Sequence, residues 1–188
     1  ETRVVDYPTP DALWKRYQQG NGVQGAKAAE QLLTPFNRAE GKGERYYQQI
    51  AINRTVEAVL KGDNRVLITM ATGTGKTFTV FQLVWKLIRG NALPNGRVLF
   101  LTDRNSLQDQ AYRAFSAFPQ DDRVVITKEA VQKGEHKVGK IFFANYQTLC
   151  EEFDDQEIYK QYDPDFLDLV IVDECHRSGF GDWFGVLE

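Results

Sequence analysis

Arg65-Val66-Leu67-Ile68-Thr69-Met70 runs straight into Ala71-Thr72-Gly73-Thr74-Gly75-Lys76-Thr77, and the reading of this stretch decides the fold. The first six residues are a short apolar run, predicted as a buried strand. The glycines let the backbone curl so that several N–H groups point at one anionic group. Beyond Thr77, residues Val80, Leu83, Val84, Leu87 and Ile88 fall on one helical face. A helix therefore opens near Lys76 and aims its positive end at the same point. Strand, glycine loop and helix in this order are the setting that a phosphate-binding loop requires. Lys76 would reach β- and γ-phosphates, and the Thr77 hydroxyl would be a ligand of Mg²⁺. The strict pattern has glycine where this chain has Met70, so the alternative is a chance Gly-Lys-Thr in a turn.

Working outward, Ile52, Val56, Val59 and Leu60 predict a helix before the loop, ended by Gly62. Downstream, Arg97 to Leu101 reads as a strand, and Leu107, Ala111, Ala114, Phe115 and Phe118 as a helix. Val124 to Ile126, Ile141 to Ala144 and Leu169 to Val172 are further short strands. Strands alternating with amphipathic helices mean βαβ units, hence an α/β fold with a mainly parallel sheet flanked by helices. Such sheets bind ligands at the carboxyl ends of their strands.

The first 43 residues read differently, as a linker arm packed on a main domain of residues 44–188. Tyr7-Pro8-Thr9-Pro10 is stiff. Asp11 is the expected N-cap of a short helix carrying Leu13, Trp14 and Tyr17, broken by Gly20-Asn21-Gly22. The chain begins with Glu1 rather than Met and is read as a fragment of something larger.

Composition narrows the function classes. With 42% hydrophobic and 26% charged residues in 188, the chain is globular and needs no disulfide or structural metal to fold. Its two cysteines, Cys150 and Cys175, read as reduced thiols. No stretch approaches the ~18 apolar residues of a membrane span, and no signal peptide opens the chain, so a cytoplasmic protein is expected. A net charge of −3 gives no global pull on nucleic acid, although a local groove can still be basic.

Two further segments carry chemistry. Leu169-Val170-Ile171-Val172 ends in Asp173-Glu174-Cys175-His176. A carboxylate at a strand tip beside the loop holds Mg²⁺ through water, which suits Asp173. A second beside it orients and deprotonates an attacking water, which suits Glu174. His176 sits where a side chain can link this site to another domain. Alone, Asp-Glu after a strand is a solvated turn; beside the loop, the nucleotide reading prevails. Arg45-Tyr46-Tyr47-Gln48 lies 28 residues before Lys76. An amide such as Gln48 matches the donor and acceptor of the adenine edge, and an aromatic or Arg nearby can stack on the base. A Tyr-Gln pair at a helix start is equally an ordinary surface. Asp154-Asp155 and Asp163…Asp165 lack a nuclease pattern and read as solvated loops.

Taken together, Arg45 to Gln48, Met70 to Thr77 and Asp173-Glu174-Cys175-His176-Arg177-Ser178 resemble superfamily 2 helicases and translocases. Leu101-Thr102-Asp103-Arg104 and Ala144-Asn145-Tyr146-Gln147-Thr148 look like two DNA-contacting motifs of that group. The resemblance covers roughly Glu44 to Gly179 and implies the first RecA-like lobe of a P-loop motor, incomplete at its C-terminal end. The narrower flavour is similar to the motor subunit of type I restriction enzymes, which the arm sequence Asp6 to Trp14 also resembles. Other superfamily 2 motors, such as a repair helicase or type III restriction subunit, are the rival reading. A nucleotide-regulated binding module is another, which the intact Glu174 opposes.

By that resemblance, Gln48 and Tyr47 read adenine with Arg45 assisting, and Thr72, Gly73, Thr74, Gly75, Lys76 and Thr77 hold ATP. Lys76, Asp173 and Glu174 are catalytic, Thr77 and Asp173 serve Mg²⁺, and His176 couples the lobes. Thr102, Arg104, Tyr146, Gln147 and Thr148 are candidates for touching the DNA backbone, although Thr102 and Arg104 equally cap a helix and Tyr146 equally fills a core. Tyr46 stands where many relatives have proline, and Cys175 where alanine is commoner. The implied partners are double-stranded DNA, a nuclease domain and second lobe of the same parent, and methyltransferase and specificity subunits in a bacterial or archaeal cell. The lobe alone is expected to be a poor ATPase, because the cation that meets the transferred phosphoryl comes from the second lobe.

Overall fold

Three of the apolar runs beyond the loop, and the one before the acidic pair, do pair in parallel. A computed structural model describes residues 7–23, 27–38, 41, 43 and 45–175. The chain forms helices α1 (Pro10–Asn21), α2 (Ala28–Leu33), α3 (Tyr46–Lys61) and α4 (Lys76–Arg89). Then come β1 (Val98–Thr102), α5 (Asn105–Ala114), β2 (Arg123–Val125), α6 (Lys128–Gln132), β3 (Ile141–Asn145) and α7 (Tyr146–Leu149). A hairpin of β4 (Glu152–Phe153) and β5 (Gln156–Glu157) precedes β6 (Leu169–Val172). The main sheet has the order β2-β3-β1-β6, with Val98 beside both Ile141 and Leu169. Every position of β1 and β3 is buried, as in a parallel sheet covered on both faces.

Side chains alternate between those faces. Val98, Phe100, Ile141 and Phe143 join α3, α4 and α5 in one core. Phe115 stands edge-on to Phe81 and Phe143, with centroids 5.5 and 5.4 Å away. Leu99, Leu101, Phe142 and Ala144 turn the other way, onto Tyr146, Leu149, Ile158 and Phe166. Asp154 and Asp155, the acidic pair read as a solvated loop, form the β4–β5 turn with φ of 52° and 62°.

Three expectations change. Residues 65–70 form no strand ladder, and Val66 and Leu67 are 45% and 76% exposed. A strand exists only with a partner, and among the described residues β6 pairs with β1 alone. Ile68 still packs on the first core, which keeps the run attached to the domain. Second, α1 is capped by Thr9 rather than Asp11: Thr9 is extended at ψ 157°, its Oγ1 accepts from the Ala12 N–H, and Pro10 follows it as a proline best does. Third, α5 stops at Ala114, and Phe115 and Phe118 are buried from the turn beyond it.

The arm is more closely built in than its composition suggests. Beyond α1 and α2, residues 34–38 lie along α4. Gln82 of α4 accepts from the Asn37 N–H at 2.9 Å and donates to the Asn37 carbonyl at 2.7 Å. Lys86 donates to the Leu32 carbonyl at 3.0 Å and sits 4.5 Å from the centre of the Phe36 ring. These contacts explain why two polar side chains on α4 are 0% and 3% exposed.

Candidate functional site

The loop from Thr72 to Thr77 closes as its glycines demand. Gly73 and Gly75 have φ of 78° and 87°, the left-handed region that other residues avoid. Gly75 has a second reason: a Cβ there would lie 2.6 Å from Gln48 Nε2. Thr74 Oγ1 donates to the Ala71 carbonyl at 2.6 Å, tightening the turn. From Lys76 the helix α4 begins, so its unpaired N–H groups face the loop.

Opposite stands the tip of β6. The Asp173 N–H continues the ladder to the Leu101 carbonyl at 2.9 Å. Glu174 then turns back at φ 52°, and its N–H donates to Asp173 Oδ1 at 3.0 Å. A non-glycine residue in that region stores strain, commonly at functional sites. The turn carries Glu174 Oε1 to within 3.2 Å of Lys76 Nζ. Burial pushes the Asp173 carboxyl above the usual carboxylate range, helped by the negative charges of Glu174 and Asp103 and opposed by the Glu174 N–H and Lys76. Between the two sides lies a cleft of about 470 Å³, lined by Thr72, Gly73, Gly75, Lys76, Thr77, Asp173 and Glu174, and also by Phe78, Phe81 and Asn37.

This donor set fits a nucleotide with Mg²⁺. Lys76, the loop and the opening of α4 are cationic or N–H donors that suit phosphate oxygens. The Thr77 hydroxyl and Asp173 carboxylate are hard oxygen donors lining the same cleft, which suits Mg²⁺. The raised proton affinity at Asp173 follows chiefly from the burial of its carboxyl.

The adenine set is gathered against the loop. Gln48 is 4% exposed, and both ends of its amide are engaged: Oε1 accepts from the Arg45 N–H at 2.9 Å, and Nε2 donates to the Thr74 carbonyl at 2.8 Å. Tyr47 donates to the same carbonyl at 3.2 Å, and Arg45 donates to the Tyr47 hydroxyl at 2.9 Å. Arg45, Tyr47 and Gln48 thus brace the back of the loop here. The reciprocal Arg45–Gln48 contact also caps α3, a structural duty that competes with base reading.

The DNA set divides. Thr102 is 0% exposed and donates to the Arg104 carbonyl at 3.1 Å, and Tyr146 is 1% exposed within the second core. Both are folding residues in this arrangement, so their expected contact with DNA is not accessible. Arg104, with 66% of its side chain exposed and its Nε 3.6 Å from Asp103, can be reached, as can Gln147 and Thr148. Asn145, not singled out from the sequence, accepts from the Thr148 N–H at 2.7 Å and donates to Asn105, joining the tip of β3 to the start of α5. An Asn just before a helix is an N-cap signal that the sequence offered. His176 lies outside the described residues.

A family model described as type III restriction enzyme, res subunit, matches residues 42–188. The chain is 38% identical over 187 residues to the type I restriction enzyme EcoAI endonuclease subunit of Escherichia coli, covering 97% of this chain and 22% of that protein. It is 34% identical over 147 residues to the EcoKI endonuclease subunit of E. coli K12, covering 72% and 12%. A putative type I subunit, MjaIXP of Methanocaldococcus jannaschii, is 32% identical over 146 residues, covering 72% and 14%. The chain therefore spans less than a quarter of the length of these curated relatives.

Proposed function

Because the chain belongs to the type III restriction enzyme res subunit family, whose α/β motor fold it shares, we propose that it is the first RecA-like lobe of a type I restriction enzyme's endonuclease subunit. In this reading the lobe binds and hydrolyses ATP to drive movement along double-stranded DNA. The observation that carries it is the bridge of Lys76 to Glu174 at 3.2 Å across the cleft, which brings the loop and the acidic pair to one place. Type I is favoured over type III because the similarity to the EcoAI subunit runs through the arm as well as the lobe.

The residues have distinct work. Lys76 rests on Glu174 and is positioned to transfer to phosphate oxygens, a change that leaves Glu174 facing water as general base. Thr77 and Asp173 would hold Mg²⁺, which supplies neutralisation of phosphate charge. Gln48 and Tyr47 hold the Thr74 carbonyl, so they set the loop's shape whether or not the amide also meets a base. Methyltransferase and specificity subunits, a second lobe and a nuclease domain are the proposed partners, in the cytoplasm.

The test is DNA-stimulated ATPase activity and triplex displacement by the full-length protein. Asp173→Asn and Glu174→Gln should each stop movement and leave duplex binding nearly intact. A variant that moves like wild type removes the motor reading. Residues 1–188 alone should turn over ATP slowly with or without DNA, since an arginine from a second lobe is worth ~10³–10⁵ in rate.

A further inference from the structure

Gln82 is wholly buried on α4, yet it does not itself line the cleft. It lies among Phe81, Leu83, Val84 and Leu87, where an amide is costly unless both its ends are bonded. The arm supplies both bonds from the backbone of one residue. The Asn37 N–H donates to Gln82 Oε1 at 2.9 Å, and the Asn37 carbonyl accepts from Gln82 Nε2 at 2.7 Å. An amide used in this way grips the arm by its main chain. Further anchors follow towards the far end of the helix. Lys86 meets the Leu32 carbonyl and the Phe36 ring, and Gln31 donates to the Asn91 carbonyl at 3.1 Å. A Cβ at Gly90 would stand 2.8 Å from Thr34 Oγ1. Thr34, Phe36 and Asn37 therefore meet positions 90, 86 and 82 in turn, and the arm runs antiparallel to α4. Asn37, the last of this row, lines the cleft together with Lys76, Phe78 and Phe81.

We propose that Gln82 is a positioning residue for nucleotide binding: by clasping the arm's backbone, it holds one wall of the cleft in place before the nucleotide arrives. The proposal rests on the nucleotide reading of the cleft. A wall that is already ordered costs nothing further when the ligand binds, whereas a loose one must be ordered at the expense of affinity. The groups assigned to the chemistry, Lys76, Asp173 and Glu174, are carried by the start of α4 and the tip of β6, not by the arm. Loosening the arm therefore removes binding that ground state and transition state share, which raises KM and spares kcat. The coupling is also reciprocal: a clasp that favours the nucleotide is itself favoured by the nucleotide.

The experiment uses the full-length protein with Mg²⁺. Gln82→Met keeps the size of the side chain and loses both bonds. It should weaken ATP about fivefold by calorimetry, the low end of couplings between sites, and raise KM by the same factor with kcat unchanged. Backbone hydrogen exchange across residues 34–38 should quicken in this variant, and in wild type it should slow when ATP is added. Phe36→Ala loosens the arm at the next anchor without altering α4. It should move both readouts in the same direction, and it answers the question if the Gln82 variant fails to fold. Val84→Ala, a core change about 200° round α4 from Gln82, should lower stability and leave KM as it is. If Gln82→Met quickens exchange but leaves ATP affinity unchanged, or if Val84→Ala raises KM as much, the arm is a brace only. The proposal is then overturned and the phosphate site stands. If Lys76→Ala leaves ATP affinity unchanged, the nucleotide reading itself fails.

Discussion

The tip of the phosphate loop and the tips of β1 and β3 point to the same end of the sheet, and both hold residues that stand out as motifs. At the loop, Gly73, Gly75, Lys76 and Thr77 line a cleft. At the strand tips, Thr102 and Tyr146 turn inward, and only Arg104, Gln147 and Thr148 keep access to solvent. The difference is one of chemistry. A glycine loop presents its backbone outward because its residues have no side chain to bury. A tyrosine or threonine in a motif has a body that a nearby core will take. A motif residue is therefore evidence of constraint, and only its surroundings say whether the constraint is contact or packing.

The strongest way to test the loop side is Glu174→Gln in the full-length protein. It keeps the shape of the turn and removes the base, so kcat should fall by ~10²–10⁴ while ATP affinity holds. Retained turnover in a single-turnover assay would place the base elsewhere. On the other side, Tyr146→Ala should cost ~3–5 kcal/mol of stability, as large-to-small changes of buried aromatics do. Arg104→Ala should stay within ~0.5 kcal/mol in unfolding yet weaken duplex binding and lower its salt slope by about 1. If instead Tyr146→Ala unfolds like wild type and loses DNA, the two regions are alike and the contrast is broken. Next in size, Lys76→Ala should weaken ATP by ~1.5–3 kcal/mol, read by calorimetry.

Periodicity and spacing made most of the sheet and the phosphate site legible. Strands β1, β3 and β6 fell within a residue of their expected places because each is a short apolar run bounded by polar turns. What escaped depended on partners far along the chain. The run 65–70 has every local property of a strand, yet pairing is decided by what lies beside it. Gln82 and Lys86 lie outside the apolar set expected on α4, and the arm, some 45 residues upstream of Gln82, explains their burial. The Gln48 amide, expected to suit adenine, also meets a loop carbonyl and a backbone N–H, bonds that spacing alone does not show.

The smallest effect concerns Asp173, where site and fold oppose each other. Burial raises its proton affinity in the folded state above that of an unfolded aspartate, about 3.9. A carboxyl shifted upward by folding favours the fold when protonated. That contribution is complete below the unfolded value and is lost as pH rises through the folded one. At pH 7 the ionised Asp173 is therefore a net cost to stability, met with neighbouring charges from Glu174 and Asp103. Asp173→Asn mimics the protonated form at any pH. Urea unfolding without Mg²⁺ or nucleotide should find the Asn variant slightly more stable than wild type at pH 7. The gain should fade as pH falls through the raised value toward 3.9, about where wild type becomes neutral too. Added Mg²⁺ should narrow the gap at pH 7 by acting on wild type alone. An Asn variant less stable at pH 7, or a gap that ignores pH, would mean that Asp173 is already compensated within the lobe, and the case for a cation at this end of the cleft would lose its electrostatic support.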